Sequence, residues 1–145
     1  LDVERTAIAA EAVGYARTPF EVAARYSNER VQFDRPIRKF EAISFRIADM
    51  ATRLEAARLL TLRAARMIER GLRATKKAAM AKDFATDTAF QTASDALQIL
   101  GGIGYTKEYP VERFLRDSRL MKIGGGTTEI LKFLVQREVY RELRL

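Results

Sequence analysis

The sequence predicts an all-α antiparallel, up-and-down bundle of four to five helices. Three observations carry this. Apolar residues recur at spacings of three and four over long stretches, as a helix with one buried face requires. No segment gives a sustained period-two alternation of the kind a half-buried strand shows. Only three prolines and eight glycines punctuate 145 residues, too few for a chain built of many short strands and turns.

The elements follow in order. Residues 3–29 are Ala-rich and helical, interrupted at Pro19. Thr18-Pro19-Phe20-Glu21 reads as a capping box with proline at the first helical position, so the helix kinks or restarts there. The alternative is one long helix that tolerates the proline at a cost of about 3 kcal/mol. Phe33 to Arg38 is a connection, broken by Pro36. From Phe40, the residues Ile43, Ile47, Met50, Leu54, Ala57, Leu60, Ala64 and Met67 share one face of a long helix that Gly71 ends. Lys76 to Leu100 makes a third long helix, with Ala79, Phe84, Ala89, Ala93, Leu97 and Leu100 available for burial. Gly101-Gly102-Ile103-Gly104 stops it. Pro110 opens a shorter helix to about Met121. Gly124-Gly125-Gly126 is a second break. Thr127-Thr128 then caps a last helix from Glu129 to Leu143, with Ile130, Phe133, Leu134 and Val139 as its apolar residues. The length fits one domain over residues 1–145. The broad apolar stripes of the long helices suit packing against other subunits.

Composition excludes several chemistries. There is no His and no Cys, so a His base, a Cys nucleophile, a His/Cys metal site and a disulfide framework are all ruled out. The 26 Lys and Arg outweigh 19 Asp and Glu, but the charges are interleaved and no basic tail stands out. Nucleic-acid binding is therefore not expected, while a diffuse positive field suits a phosphate-bearing cofactor or substrate. No apolar run approaches the about 18–20 residues that span a bilayer. No targeting segment is visible, and the chain starts without Met in helical sequence, which reads as a fragment or a processed chain.

The residues alone leave the site open. Gly101-Gly102-Ile103-Gly104-Tyr105 follows a helix, so it lacks the strand–turn–helix setting of a dinucleotide fingerprint and reads as a C-cap turn. Gly124-Gly125-Gly126-Thr127-Thr128 precedes a helix, and is either a flexible turn or a place where backbone N–H groups receive an oxyanion. Glu4, Asp49, Asp87 and Asp95 are candidate bases, among which composition does not choose.

A series of motifs goes further. Asn28-Glu29-Arg30-Val31-Gln32-Phe33-Asp34-Arg35-Pro36-Ile37 resembles the E-R-x-x-F-G-x-P-I segment of the acyl-CoA dehydrogenases. Phe40-Glu41-Ala42-Ile43, Ile47-Ala48-Asp49-Met50-Ala51, Ala79-Met80-Ala81-Lys82, the run Asp95 to Tyr105, Tyr109-Pro110-Val111-Glu112-Arg113, Leu115-Arg116-Asp117 and Gly126-Thr127-Thr128-Glu129-Ile130 follow in that family's order. The resemblance is to the C-terminal helical domain; the family's N-terminal helical and middle β-domains have no counterpart here. It implies FAD bound across a subunit interface in a homodimer or homotetramer. It implies an acyl-CoA substrate desaturated to a trans-2-enoyl-CoA, and electron-transferring flavoprotein as the partner that takes the electrons. A bacterial or archaeal cytoplasm or the mitochondrial matrix is the expected location. An acyl-CoA oxidase-like relative and a non-catalytic assembly domain are the alternatives.

The resemblance also distributes roles. The family's commonest catalytic glutamate sits in a Tyr-Glu-Gly-Thr pattern, but here that stretch is Gly124-Gly125-Gly126-Thr127. Isovaleryl-CoA and long-chain acyl-CoA dehydrogenases are similar in lacking it and place the base on the first helix, before an Arg. The corresponding dipeptide is Glu4-Arg5, which makes Glu4 the expected α-proton base. Gly125 keeps a backbone N–H for the thioester carbonyl, and Gly124 in place of Tyr widens the acyl pocket. Arg5 resembles a residue beside the CoA moiety, a surface ion pair being the alternative. Arg30, Phe33, Gln98, Gly102, Thr127 and Glu129 match FAD contacts. Asp34 replaces a Gly and puts the turn geometry in question, since Asp tolerates positive φ less well. A glutamate introduced at Gly125 is expected to restore some activity to a chain that has lost Glu4.

Overall fold

The computed structural model describes residues 1–145. Its five helices are α1 (Asp2–Glu29), α2 (Glu41–Glu69), α3 (Thr75–Leu100), α4 (Val111–Met121) and α5 (Thr128–Leu143). A two-residue hairpin, β1 (Val31–Gln32) and β2 (Arg35–Pro36), joins α1 to α2 through a short 3₁₀ turn, Ile37–Lys39. A second 3₁₀ turn, Gly101–Tyr105, follows α3. The predicted bundle is present. The hairpin is too short to have left a period-two signal.

α3 is the central helix and packs against all four others. Its alanines make this possible. Ala78, Ala81, Ala85 and Ala89 meet Ala9, Ala12 and Ala16 of α1 and Ala57 and Ala64 of α2 in one fully buried cluster. Small side chains at each crossing let the helix axes approach closely. A second cluster fills the other end, with Ala23, Met50, Ala96, Ile99, Leu100 and Val111.

Three expectations are corrected. First, of the two readings of Pro19, the kink or restart is not seen and the single long helix is: α1 runs unbroken through Pro19, which is buried inside it. No capping box forms because Thr18 lies inside the continuous helix and is not its N-cap; Glu21 Oε1 accepts instead from Arg17 Nε at 2.7 Å, one turn back. Second, α5 buries Leu131 and Glu138, while Ile130 and Phe133 are half exposed. α5 carries apolar residues on more than one side, so its packing against α3 chooses the inward face. The buried Glu138 is stabilised by Arg73, whose Nε and Nη2 donate to its two oxygens at 2.9 and 2.8 Å. Third, Phe84 is exposed and lines a groove of about 530 Å³ between α2, α3 and α5. No helix is long and apolar enough to cross a membrane.

Candidate active site

The first turn of α1 lies against the glycine loop that links α4 to α5. Glu4 is exposed there, and its Oε1 lies 3.8 Å from where a Cβ on Gly125 would stand. Gly125 and Gly126 have φ of 66° and 109°, a region that L side chains enter at a cost. Ile8, one turn after Glu4, fills the space that a residue 125 side chain would need: its Cδ1 is 2.3 Å from the same Cβ position. Ile8, Tyr15, Leu120, Met121, Gly124 and Gly125 line a cavity of about 520 Å³, joined by Glu11, Arg116 and Asp117.

The loop presents donors. Gly124 N–H donates to Leu120 O at 2.9 Å and Thr128 N–H to Lys122 O at 3.3 Å, but the N–H groups of Gly125, Gly126 and Thr127 donate to no acceptor within the chain. Successive free N–H groups in such a turn form a concavity suited to an anion or a developing oxyanion. Thr127 caps α5, its Oγ1 accepting from Ile130 N–H at 3.5 Å. Glu129, in the first turn, is held below the usual carboxylate range by its own backbone N–H and then by the Thr127 hydroxyl.

Two cations lie beneath. Arg5 is buried and forms an ion pair with the partly exposed Asp2, the alternative to a contact with CoA. Its Nη1 is 3.5 Å from Asp2 Oδ1, and its Nε is buried without a partner. Lys82 of α3 is fully buried, and its Nζ donates to the carbonyl of Gly126. Burial lowers its pKa, a shift that nearby Arg5 reinforces and that Asp83 and Glu4 oppose. The other candidate bases stand apart: Asp87 pairs with Lys122, Asp95 with Arg46, and Asp49 is exposed on α2.

A second group of residues gathers at the far end of α1. Arg30 closes the helix, donating its N–H to Tyr26 O and accepting from Ile37 N–H, both at 2.8 Å. Phe33 and Asp34 are the central residues of the hairpin turn, with φ of 51° and 61°, the paired positive values of a type I′ turn. Asp34 therefore takes up the left-handed conformation despite lacking glycine's freedom. Phe33 is 85% exposed and meets Phe40 edge-to-face, with centroids 6.1 Å apart. Gln98 and Gly102 are exposed at the end of α3 and in the turn after it. Open space surrounds Gly102, whereas Gly104 is packed so tightly that a Cβ would come within 2.8 Å of Leu100 Cβ. Ile37 and Ile103 pack on the same core cluster, which brings the hairpin and this turn to one end of the bundle.

Residues 1–140 match the family model described as acyl-CoA dehydrogenase, C-terminal domain. The chain belongs to the acyl-CoA dehydrogenase family. It is 51% identical over 94% of its length to an acyl-CoA dehydrogenase of Bacillus subtilis, covering 36% of that protein. It is 51% identical over 90% of its length to the benzylmalonyl-CoA dehydrogenase of Aromatoleum aromaticum, covering 34% of it. The butyryl-CoA dehydrogenase structure from Megasphaera elsdenii superposes with a TM-score of 0.95 at 41% identity, over 97% of this chain and 37% of that one. The chain thus spans about a third of the length of these acyl-CoA dehydrogenases.

Within this acyl-CoA dehydrogenase domain, Glu4, Arg5, Gly124, Gly125, Thr127 and Glu129 share one end, while Arg30, Phe33, Gln98 and Gly102 share the other. From Glu4 to Arg30 the helix axis spans about 39 Å, at about 1.5 Å per residue. Sequence reasoning missed Ile8 and the contact of Lys82 with the loop. Lys82 had left a signal: a lysine set in the alanine face Ala78, Ala81, Ala85, Ala89.

Proposed function

We propose that this chain carries the catalytic base of an FAD-dependent acyl-CoA dehydrogenase, with Glu4 removing the α-proton of an acyl-CoA thioester. The observation that carries this reading is the approach of the Glu4 carboxylate to Gly125, where the family's commoner base would be attached. An α-C–H beside a thioester is a weak acid, so charge developing on the carbonyl oxygen needs fixed donors. The N–H of Gly125 supplies one, within a loop whose neighbouring N–H groups are also free. Glu4 is exposed in this chain; in this reading bound substrate and the rest of a subunit as long as the relatives' enclose it and strengthen it as a base.

FAD, when bound, would supply the hydride acceptor that desaturation to a trans-2-enoyl-CoA requires. The residues here fit the cofactor as a group shared between copies. An exposed Phe33 ring, the Arg30 guanidinium and the open backbone at Gly102 suit an aromatic and phosphate-bearing molecule. They lie too far from Thr127 and Glu129 to hold the same one within a single chain. The reading therefore includes a homodimer or homotetramer in which Arg30, Phe33, Gln98 and Gly102 serve the neighbour's FAD. Exposed Phe45, Leu59 and Leu62 on α2 support such packing. Electron-transferring flavoprotein is the proposed acceptor.

The cavity beside Gly124 and Gly125 supports an acyl group that is branched or bulky near the reacting carbons. The benzylmalonyl group named for the Aromatoleum relative is one such acyl group. Arg5, paired with Asp2, remains the candidate for the CoA end.

The test is a Glu4→Gln variant of the full-length enzyme. Removal of a general base lowers turnover by about 100-fold or more, with the fold retained. Turnover within twofold of wild type on every acyl-CoA assayed would refute the assignment.

A further inference from the structure

Lys82 is a buried cation for which the proposed reaction has no use. No carboxylate lies within ion-pair distance of it, although ten such pairs occur elsewhere in the molecule. It stands on the alanine face of α3, where a methionine would pack without placing a charge among apolar neighbours. Its one hydrogen-bond acceptor is the carbonyl of Gly126. That carbonyl belongs to the loop at which Glu4 ends, not to a helix that Lys82 would brace.

We propose that Lys82 is a positioning residue that sets the glycine loop for the thioester carbonyl. Its ammonium holds the peptide group between Gly126 and Thr127 with the carbonyl turned to α3. In a trans peptide the N–H then points the opposite way, out of the bundle. A cation on the carbonyl also polarises that peptide group and strengthens its N–H as a donor. Gly125 and Gly126, both at positive φ, have no side chains to fix their peptide groups; the bonds from Gly124 and Thr128 N–H hold the two ends of the loop, and the Lys82 bond holds the Gly126 carbonyl between them. The groups facing Lys82 are Glu4 and Arg5 from α1 and Asp83 from its own helix. None of them bonds the peptide groups of Gly125 or Gly126, although Asp83 lies beside Thr128 at the start of α5. The inference rests on the reading that Gly125 meets the thioester oxygen.

The experiment uses the full-length enzyme. K82M should lower kcat at least tenfold while KM changes less than threefold and FAD content and Tm hold or rise. K82A should lose turnover similarly and recover part of it in ethylammonium chloride, whose N–H donors fit the vacated space, but not in tetramethylammonium chloride, which has none. K82M with kcat within twofold of wild type overturns the proposal. So does a loss that only tracks a fall in Tm or FAD content, since that marks a structural role alone. Should K82M fail to fold, the ammonium rescue of K82A decides, and its absence overturns the proposal. E4Q measured alongside separates the two readings. E4Q near wild type with K82M impaired removes Glu4 and leaves Lys82, whereas E4Q impaired with K82M unaffected does the reverse.

Discussion

Replacing Gly125 by alanine tests the packing of the glycine loop directly. At φ of 66° an L side chain costs about 1–2 kcal/mol. The added methyl also falls 2.3 Å from Ile8 Cδ1, and overpacking of this kind costs about 1–3 kcal/mol. G125A should therefore destabilise by about 2–5 kcal/mol. Ile8→Ala removes the obstructing methyl and relieves only the second part. A double-mutant cycle by urea unfolding of the full-length protein should then show G125A costing about 1–2 kcal/mol less in the I8A background than in wild type. Additivity within about 0.5 kcal/mol would refute the contact between Ile8 and residue 125. The cycle has a catalytic counterpart. Glutamate at position 125 was expected to rescue a chain lacking Glu4, but Ile8 occupies its path. Rescue of E4Q by G125E should require Ile8→Ala as well.

Two further outcomes follow from the fold. Pro19→Ala restores a helical N–H worth about 3 kcal/mol with the ring clash and loses about two buried methylenes at about 0.8 kcal/mol each, so Tm should rise by the equivalent of about 1 kcal/mol; a fall in thermal unfolding would show that the proline's packing dominates. Arg73 chiefly holds the Glu138 carboxyl below its usual range, with Arg141 and Arg137 assisting against burial. A depressed folded-state value gives stability that is present above the unfolded value, about 4.3, and is lost as pH falls through the folded one. The Tm difference between wild type and Glu138→Gln should accordingly narrow below about pH 4.3, and a difference constant down to pH 3 would contradict this.

Much of the helical frame was legible because its signals are local. Gly71 and the two glycine clusters end helices through backbone freedom that belongs to the residue itself, and Thr127 caps α5 as its hydroxyl predicts. Pro19 shows where local signals fail. Thr18-Pro19-Phe20-Glu21 favours a restart, but α1 stays continuous with the proline ring buried against the rest of the bundle, a tertiary contact that no local signal announces. α5 shows a second limit, because Ile130 and Phe133 have the spacing of a buried face and yet α3 selects Leu131 and Glu138.

The sequence by itself determined the bundle and the family, through motifs strung along nearly the whole chain, and it pointed to Glu4 as the candidate base where Gly125 stands in place of the family's commoner glutamate. Only the tertiary structure decided that Glu4 reaches the glycine loop, that Ile8 fills the space a residue 125 side chain would take, and that Lys82 sits beneath the loop. The reason is distance along the chain. Helical periodicity and turn chemistry act over a few residues, whereas residues 4, 8, 82 and 125 meet only when α1 and the α4–α5 loop pack on α3.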